Sequence, residues 1–159
     1  MLKSAQKATR GEGGFTLIEL LVVMIIIAIL MAVAVPTFLK QKQTAVATKA
    51  KANIRQVQNA IESCAATNTS GAVSGTAPER NCTTSAEIIR DEASLTPVFA
   101  AGAEQVSITP VGTQGYTITA RYLADGNRPG TYVLTNDGAG NITKTCTPAS
   151  SKGCPTATW

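Results

Sequence analysis

The sequence predicts an α+β protein. One long N-terminal α-helix, with a transmembrane half and an amphipathic half, packs on a three- to four-stranded antiparallel sheet. Three observations carry that reading. No charged residue occurs from Leu20 to Leu39. Apolar residues then recur at Val46, Ala50, Ile54, Val57, Ile61 and Cys64, at the spacings of four and three that mark one face of a helix. After Gly102 the pattern shifts toward a period of two, which is the signature of strands.

The elements follow in order. Residues 1–14 are short, basic and polar and end in Gly-Gly, as a leader peptide does. Residues 15–39 form the hydrophobic segment, whose twenty charge-free positions span roughly 30 Å as a helix, the thickness of a bilayer's hydrocarbon core. Pro36 removes a backbone donor and crowds the preceding turn, so a kink or local melting is expected near Ala32 to Pro36. The helix is expected to run from about Phe15 to about Ala66. Residues 40–159 make a soluble head, beginning with the amphipathic half of that helix. Asn68 to Pro78 reads as a connecting loop. Thr84-Ser85-Ala86-Glu87 has the spacing of a capping box and predicts a short helix over Ser85 to Ala93. Strands are expected at Val106–Thr109, Tyr116–Tyr122, Thr131–Leu134 and Asn141–Cys146. Turn chemistry separates them at Gly112–Gly115, Asp125–Gly130 and Asn136–Gly140.

Composition excludes several functions. The chain has 159 residues, 44% of them hydrophobic and 15% charged, with a net charge of +4. Without residues 1–14, eleven basic and nine acidic side chains remain, too even a balance for a specific nucleic-acid partner. Lys40, Lys42, Lys49, Lys51 and Arg55 cluster after the apolar run. They read as positive-inside retention or a solvated helix face, with an anionic ligand or lipid surface as the sharper alternative. There is no histidine and no CxxC pair, so zinc sites and Cys/His catalysis have no support. Neither paired reactive carboxylates nor a phosphate-cradling loop occur, and no enzyme activity, metal or cofactor is expected.

Four cysteines, Cys64, Cys82, Cys146 and Cys154, suggest disulfides in an oxidising compartment. Spacing favours Cys64 with Cys82 and Cys146 with Cys154, although four cysteines allow three pairings. Asn68, Asn81 and Asn141 each begin an N-x-[ST] triplet, a match that a threonine-rich chain produces by chance. Asp125-Gly-Asn and Asn136–Asn141 gather oxygen ligands, but neither has calcium-loop spacing, and turn chemistry explains both. Tyr116, Tyr122 and Tyr132 are expected to cover a sheet face, and Trp159 to act as a packing plug.

Glu19 stands apart from this pattern. A carboxylate at bilayer depth costs about 2.5 kcal/mol or more. Its place in the first helical turn recovers part of that through the helix dipole and free backbone N–H groups. A cut between Gly14 and Phe15 would do more. It would create an α-amino group with a pKa near 8, four residues from Glu19. Apolar rods packed with an axial stagger could then pair the amine of one with the acid of another.

The string Gly14-Phe15-Thr16-Leu17-Ile18-Glu19, followed by an unbroken apolar helix and Pro36, resembles the class III signal of type IV pilins and of the type II secretion pseudopilins. The resemblance covers roughly Gly13 to Phe38. It implies cleavage by prepilin peptidase after Gly14 and N-methylation of Phe15. It gives Glu19 the role of recruiting and aligning subunits, and Pro36 the position where the helix bends or melts. It also implies the type IV pilin fold, a homo-oligomeric helical filament, a pilus assembly machinery, and residence in the cytoplasmic membrane before export to the cell surface. The stretch from Cys146 to Cys154 is like the cysteine-bounded loop of pilins. Two other readings stand beside this one: a pseudopilin of a type II secretion or competence system, and a secreted soluble binding domain released at Ala32-Val33-Ala34.

Overall fold

A computed structural model describes residues 14–76, 78–100, 105–123, 129–149 and 153–159. The predicted leader up to residue 13 and residues 125–128 of the predicted turn Asp125–Gly130 lie outside the described residues, and Pro129 and Gly130 are strand. The chain divides into two compact units between Leu39 and Lys40. Helix α1, Leu17–Ala65, contributes to both.

In the first unit every residue from 14 to 39 is exposed. Eighteen large apolar side chains between Phe15 and Leu39 face outward on all sides of the helix. Each is worth roughly 1.5–3 kcal/mol when withdrawn from water, so this segment requires lipid or other helices around it. The expected melting at Pro36 does not occur, and residues 32–36 are helical. Pro36 leaves one acceptor unserved, the Ala32 carbonyl four residues back, and the helix continues past that single lost bond; beside it the Thr37 hydroxyl adds a bond to the Ala34 carbonyl at 2.8 Å.

The second unit holds the core. Strands β1 (Val106–Val111), β2 (Gly115–Leu123), β3 (Pro129–Asn136) and β4 (Ile142–Thr147) form one antiparallel sheet in sequence order. The short connections dictate that order, since antiparallel neighbours need only a few linking residues. Val106, Ala120, Tyr132 and Cys146 lie in one cross-strand row, and Ile108, Ile118 and Leu134 in the next. Most of these are buried against Ala47, Ala50, Ile54, Val57 and Ile61 of α1. The opposite face carries threonine, including the row Thr109, Thr117, Thr135 and Thr143 across all four strands. A β-branched hydroxyl residue suits a pleated surface that meets water. Pro110 within β1 fits an edge strand, where one backbone donor can be spared.

Two disulfides join Cys64 to Cys82 and Cys146 to Cys154, with Cα atoms 5.7 and 5.8 Å apart. All three tyrosines are buried on the helix side of the sheet. The Tyr116 hydroxyl donates to Glu62 Oε1 at 2.5 Å, tying β2 to α1; burial and that bond raise its pKa. Tyr122 stacks on Tyr132 at 4.6 Å, and Trp159 meets Tyr132 edge-on at 5.4 Å. Trp159 also donates from its indole N–H to Thr145, while Cys146 N–H bonds to the Ala157 carbonyl. The C-terminal residues thereby cover the β4 edge, which would otherwise present open backbone groups. Tyr122 lies directly opposite Gly130, where an added Cβ would stand 2.6 Å from the ring. Glycine is needed there for that close approach.

Between α1 and β1, helix α2 covers Ser85–Asp91, a 3₁₀ turn follows at Ala93–Leu95, and helix α3 covers Thr96–Phe99. The short helix thus ends two residues before the expected Ala93. The second helical turn was not anticipated; its buried anchors Leu95 and Val98 lie too close together to show a period. The Thr84 side chain accepts from Glu87 N–H at 3.4 Å. The Glu87 carboxylate binds Arg80 and Arg90.

Asn68 is buried and organises the connecting loop, donating to the carbonyls of Ala72 and Arg80 and accepting from Arg80 N–H. Its amide nitrogen is therefore enclosed and engaged, which removes it as a glycan acceptor. Asn141 donates to Asp137 at 2.7 Å, and Asp137 also accepts from the N–H groups of Ala139 and Asn141. Those donors hold the Asp137 carboxyl below its usual range. They turn it toward its own loop, as turn chemistry requires.

Glu79 closes the loop by accepting from the Ser70 hydroxyl at 2.6 Å and the Ser70 N–H at 2.8 Å, which lower its pKa from 4.5. A depressed folded pKa contributes stability above the unfolded value that is lost as pH falls through the folded one. Amide protection at Ser70 and Ala72 should therefore drop on acidification below about pH 4.5 in the native chain. In Glu79→Gln it should be lower at neutral pH and nearly independent of pH, as hydrogen exchange would show. The Cys64–Cys82 bond closes a segment with a separation of 18 residues. Replacing both cysteines by serine should lower stability by about 3 kcal/mol, read as a fall of roughly 10–15 °C in the melting midpoint of the head.

Candidate functional site

The residues singled out at the N-terminus meet at the tip of α1. Gly14, Phe15 and Thr16 precede the helix without regular structure, and Phe15 is 91% exposed. Nothing lies within 4 Å of where a Cβ on Gly14 would stand. Among the described residues, then, packing places no demand on glycine at this position. A requirement for it would have to come from something that reads the chain from outside.

Glu19 lies in the first helical turn, three residues after Thr16. The Thr16 N–H and hydroxyl donate to Glu19 Oε2 at 3.0 and 2.9 Å, and the Glu19 N–H donates to Thr16 Oγ1 at 3.3 Å. This is a reciprocal capping box, in which side chains serve donors that the first turn leaves without intrahelical partners. The carboxylate also lies at the positive end of the helix dipole. Both bonds from Thr16 end on Oε2, so Oε1 remains the oxygen able to face another molecule.

Thr16 was missed as a functional residue, although its signal was present. Thr16-Leu17-Ile18-Glu19 has the same T-x-x-E spacing as Thr84–Glu87. Attention to the acid's cost in lipid drew the eye from the threonine that relieves it. Pro36 lies elsewhere on α1, and the four cysteines belong to the head as its two disulfides. Among the described residues no group of histidine, cysteine or acidic side chains could hold a metal ion.

Comparison with known families gives one match. Residues 9–35 fit the family described as the prokaryotic N-terminal methylation motif. Neither curated proteins nor solved structures give a match to the chain. The matched region contains Gly14, Phe15, Thr16 and Glu19 and most of the exposed apolar run. The chain thus carries a prepilin-type N-terminus. That motif implies processing by prepilin peptidase and entry into a pilus-type system, and the exposed helix suits a membrane-anchored precursor. The order of long helix, connecting loop and four-stranded antiparallel sheet matches the type IV pilin fold.

Replacing the Thr16 hydroxyl by the methyl of an isosteric valine removes its bonds to Glu19 and should fray the helix start. In detergent-solubilised Thr16→Val, the cap loss of about 1 kcal/mol predicts roughly fivefold faster amide exchange at Glu19 and its neighbours. Exchange in the head, residues 40–159, should be unchanged.

Proposed function

We propose that this chain is a structural subunit of a type IV pilus. In this reading prepilin peptidase cuts after Gly14, and the new N-terminus at Phe15 is N-methylated, which preserves its positive charge. The precursor sits in the cytoplasmic membrane through residues 15–39, with Lys3, Lys7 and Arg10 retaining the leader on the cytoplasmic side. A pilus assembly machinery then moves subunits into a helical filament on the cell surface. The filament serves adhesion, motility or DNA uptake.

The observation that carries this reading is Glu19 in its capping box at the start of an otherwise fully exposed apolar helix. A lone subunit can shelter that carboxylate only in part. A neighbour's α-amine, charged below a pKa of about 8, supplies the missing counter-charge through Oε1. Desolvation between helices strengthens the attraction, and its short range fixes the axial stagger. Each subunit donates the amine to one neighbour and the acid to another. Such a heterologous contact generates an open filament instead of a closed ring.

Support against the secreted-domain alternative comes from Ala32-Val33-Ala34. These residues lie inside α1, and the Ala34 carbonyl is bonded to Thr37. A signal-peptidase cut after Ala34 would divide a formed helix.

Sheared surface filaments from cells making the chain should contain a polypeptide that begins at Phe15, one methyl group heavier than its sequence, with no free thiol. Glu19→Ala should reduce filament yield by at least tenfold while leaving the precursor inserted in the membrane. Wild-type filaments from that variant, or natural filaments retaining residues 1–14, would refute the reading.

A further inference from the structure

Three asparagines open an N-x-[ST] triplet, and the structure separates them by what each side chain does. Asn68 is buried, and its Nδ2 donates to the Ala72 and Arg80 carbonyls at 2.6 and 2.9 Å. The Ser70 hydroxyl of that triplet is committed to Glu79. Asn141 Nδ2 donates to Asp137 at 2.7 Å, and among the described residues no bond joins Asn141 to Thr143. Asn81 is exposed, and its Oδ1 accepts twice from Thr83, from the backbone N–H at 3.1 Å and from the hydroxyl at 2.6 Å. Its Nδ2 makes no hydrogen bond among the described residues.

The fold accounts for the Asn81 oxygens and not for the nitrogen. The Asn81 carbonyl receives the Thr84 N–H at 3.4 Å and the Thr84 hydroxyl at 3.2 Å, which turns the chain into α2. Oδ1 holds Thr83 in that turn. An aspartate has the same acceptors, so the turn does not call for an amide. The Thr83 donors do suit a reaction at Nδ2. An amide nitrogen is a poor nucleophile because its lone pair is delocalised into the carbonyl. When an Nδ2 proton is withdrawn, negative charge collects on Oδ1, where both donors already point. These bonds span only two residues, so they need no tertiary contact to form.

We propose that Asn81 is a site of N-linked glycosylation, taking an oligosaccharide from a donor that carries it on a lipid diphosphate at the outer face of the membrane. The C1–O bond to the diphosphate breaks as a bond from Nδ2 to C1 forms. The lipid diphosphate leaves with the electron pair, and one Nδ2 proton passes to a base of the transferase. The proposal goes beyond the filament reading and needs only that the head is exported. Thr83 is buried in the folded head and Cys82 is bonded to Cys64, so transfer precedes the closing of this loop. The turn is undisturbed afterwards, since the substituted atom bonds to nothing in it.

The test is mass spectrometry of the full chain from cells that make it naturally, taken from membranes and from sheared surface material, with fragmentation of the peptide that holds Asn81. Carbohydrate is expected on Asn81, in addition to the methyl group of the processed N-terminus, with Asn68 and Asn141 bare. Thr83→Val keeps the shape and loses the hydroxyl; it should lower occupancy roughly tenfold or more, whereas Thr83→Ser retains it. Asn81→Asp should abolish the modification while both disulfides still form, which shows that the turn itself survives. Cys64→Ser, which delays closing of the loop, should keep occupancy at or above the wild-type level. A bare Asn81 in both fractions would overturn the proposal. So would equal occupancy in Thr83→Val, a fall in Cys64→Ser, sugar on Asn68 or Asn141 instead, or sugar attached through a hydroxyl oxygen. Filaments of subunits that begin at Phe15 with Asn81 bare would leave the filament reading standing. Filaments that retain residues 1–14 and carry sugar on Asn81 would remove that reading and leave this one.

Discussion

The whole N-terminal arrangement depends on keeping one carboxylate at the start of a helix that has no other polar side chain for a full turn beyond it. Glu19 is followed by uncharged, mostly aliphatic residues through Leu39, and each of them is exposed. An isolated acid in that setting would favour neutralisation or withdrawal to the interface. Thr16, three residues earlier, changes the balance by giving Oε2 two donors, its backbone N–H and its hydroxyl. The capping box thereby stabilises the charged form locally and fixes where the helix begins. It also orients the carboxylate, since a side chain held by two bonds has fewer rotamers to lose when a partner arrives.

The head solves a different problem. About half of its long helix face must be buried by a sheet of only four strands, and small cores of this kind are marginal without reinforcement. The reinforcement is concentrated at the two ends. Cys64–Cys82 fastens the end of α1 to the connecting loop, and Asn68 and Glu79 complete that loop with buried or paired hydrogen bonds. At the other side Cys146–Cys154, the stacked Tyr122 and Tyr132, and Trp159 edge-on to Tyr132 hold the C-terminal residues over the last strand. Tyr132 also donates to the Gly153 carbonyl, so the aromatic stack and the disulfide loop share one anchor. Small residues make this close packing possible: Gly153 lies against Ala47 of α1, and Gly130 beneath Tyr122.

Most of the fold was legible because its signals are periodic. The four- and three-residue spacing from Val46 to Cys64 marks residues that are buried or half-buried on one side of α1, and alternation placed all four strands. Strand ends were less legible, since β2 gains Gly115 and Leu123 and β3 extends from Pro129 to Asn136 through pairing with neighbours. Such extensions are set by the partner strand, and a single strand's sequence does not contain them. The α3 turn was illegible for a similar reason: Thr96-Pro97-Val98-Phe99 is shorter than one helical repeat and folds through burial of Val98. The continuous helix at Pro36 shows local propensity overruled by its setting, since one lost bond to the Ala32 carbonyl is small against the regular turns on either side. At the candidate site Glu19 was legible from its cost, whereas Thr16 required asking which group offsets that cost.

These two regions also differ in the kind of information they can hold. The apolar helix is nearly uniform around its circumference, so dispersion and burial alone would let neighbours slide or rotate with little penalty. Among residues 14–39 Glu19 is the single charged side chain, near the start of that run. The outward sheet face adds little, because its threonine rows are neutral and repeat along the strands, and Thr117 and Thr131 already pair with Thr135 and Thr147.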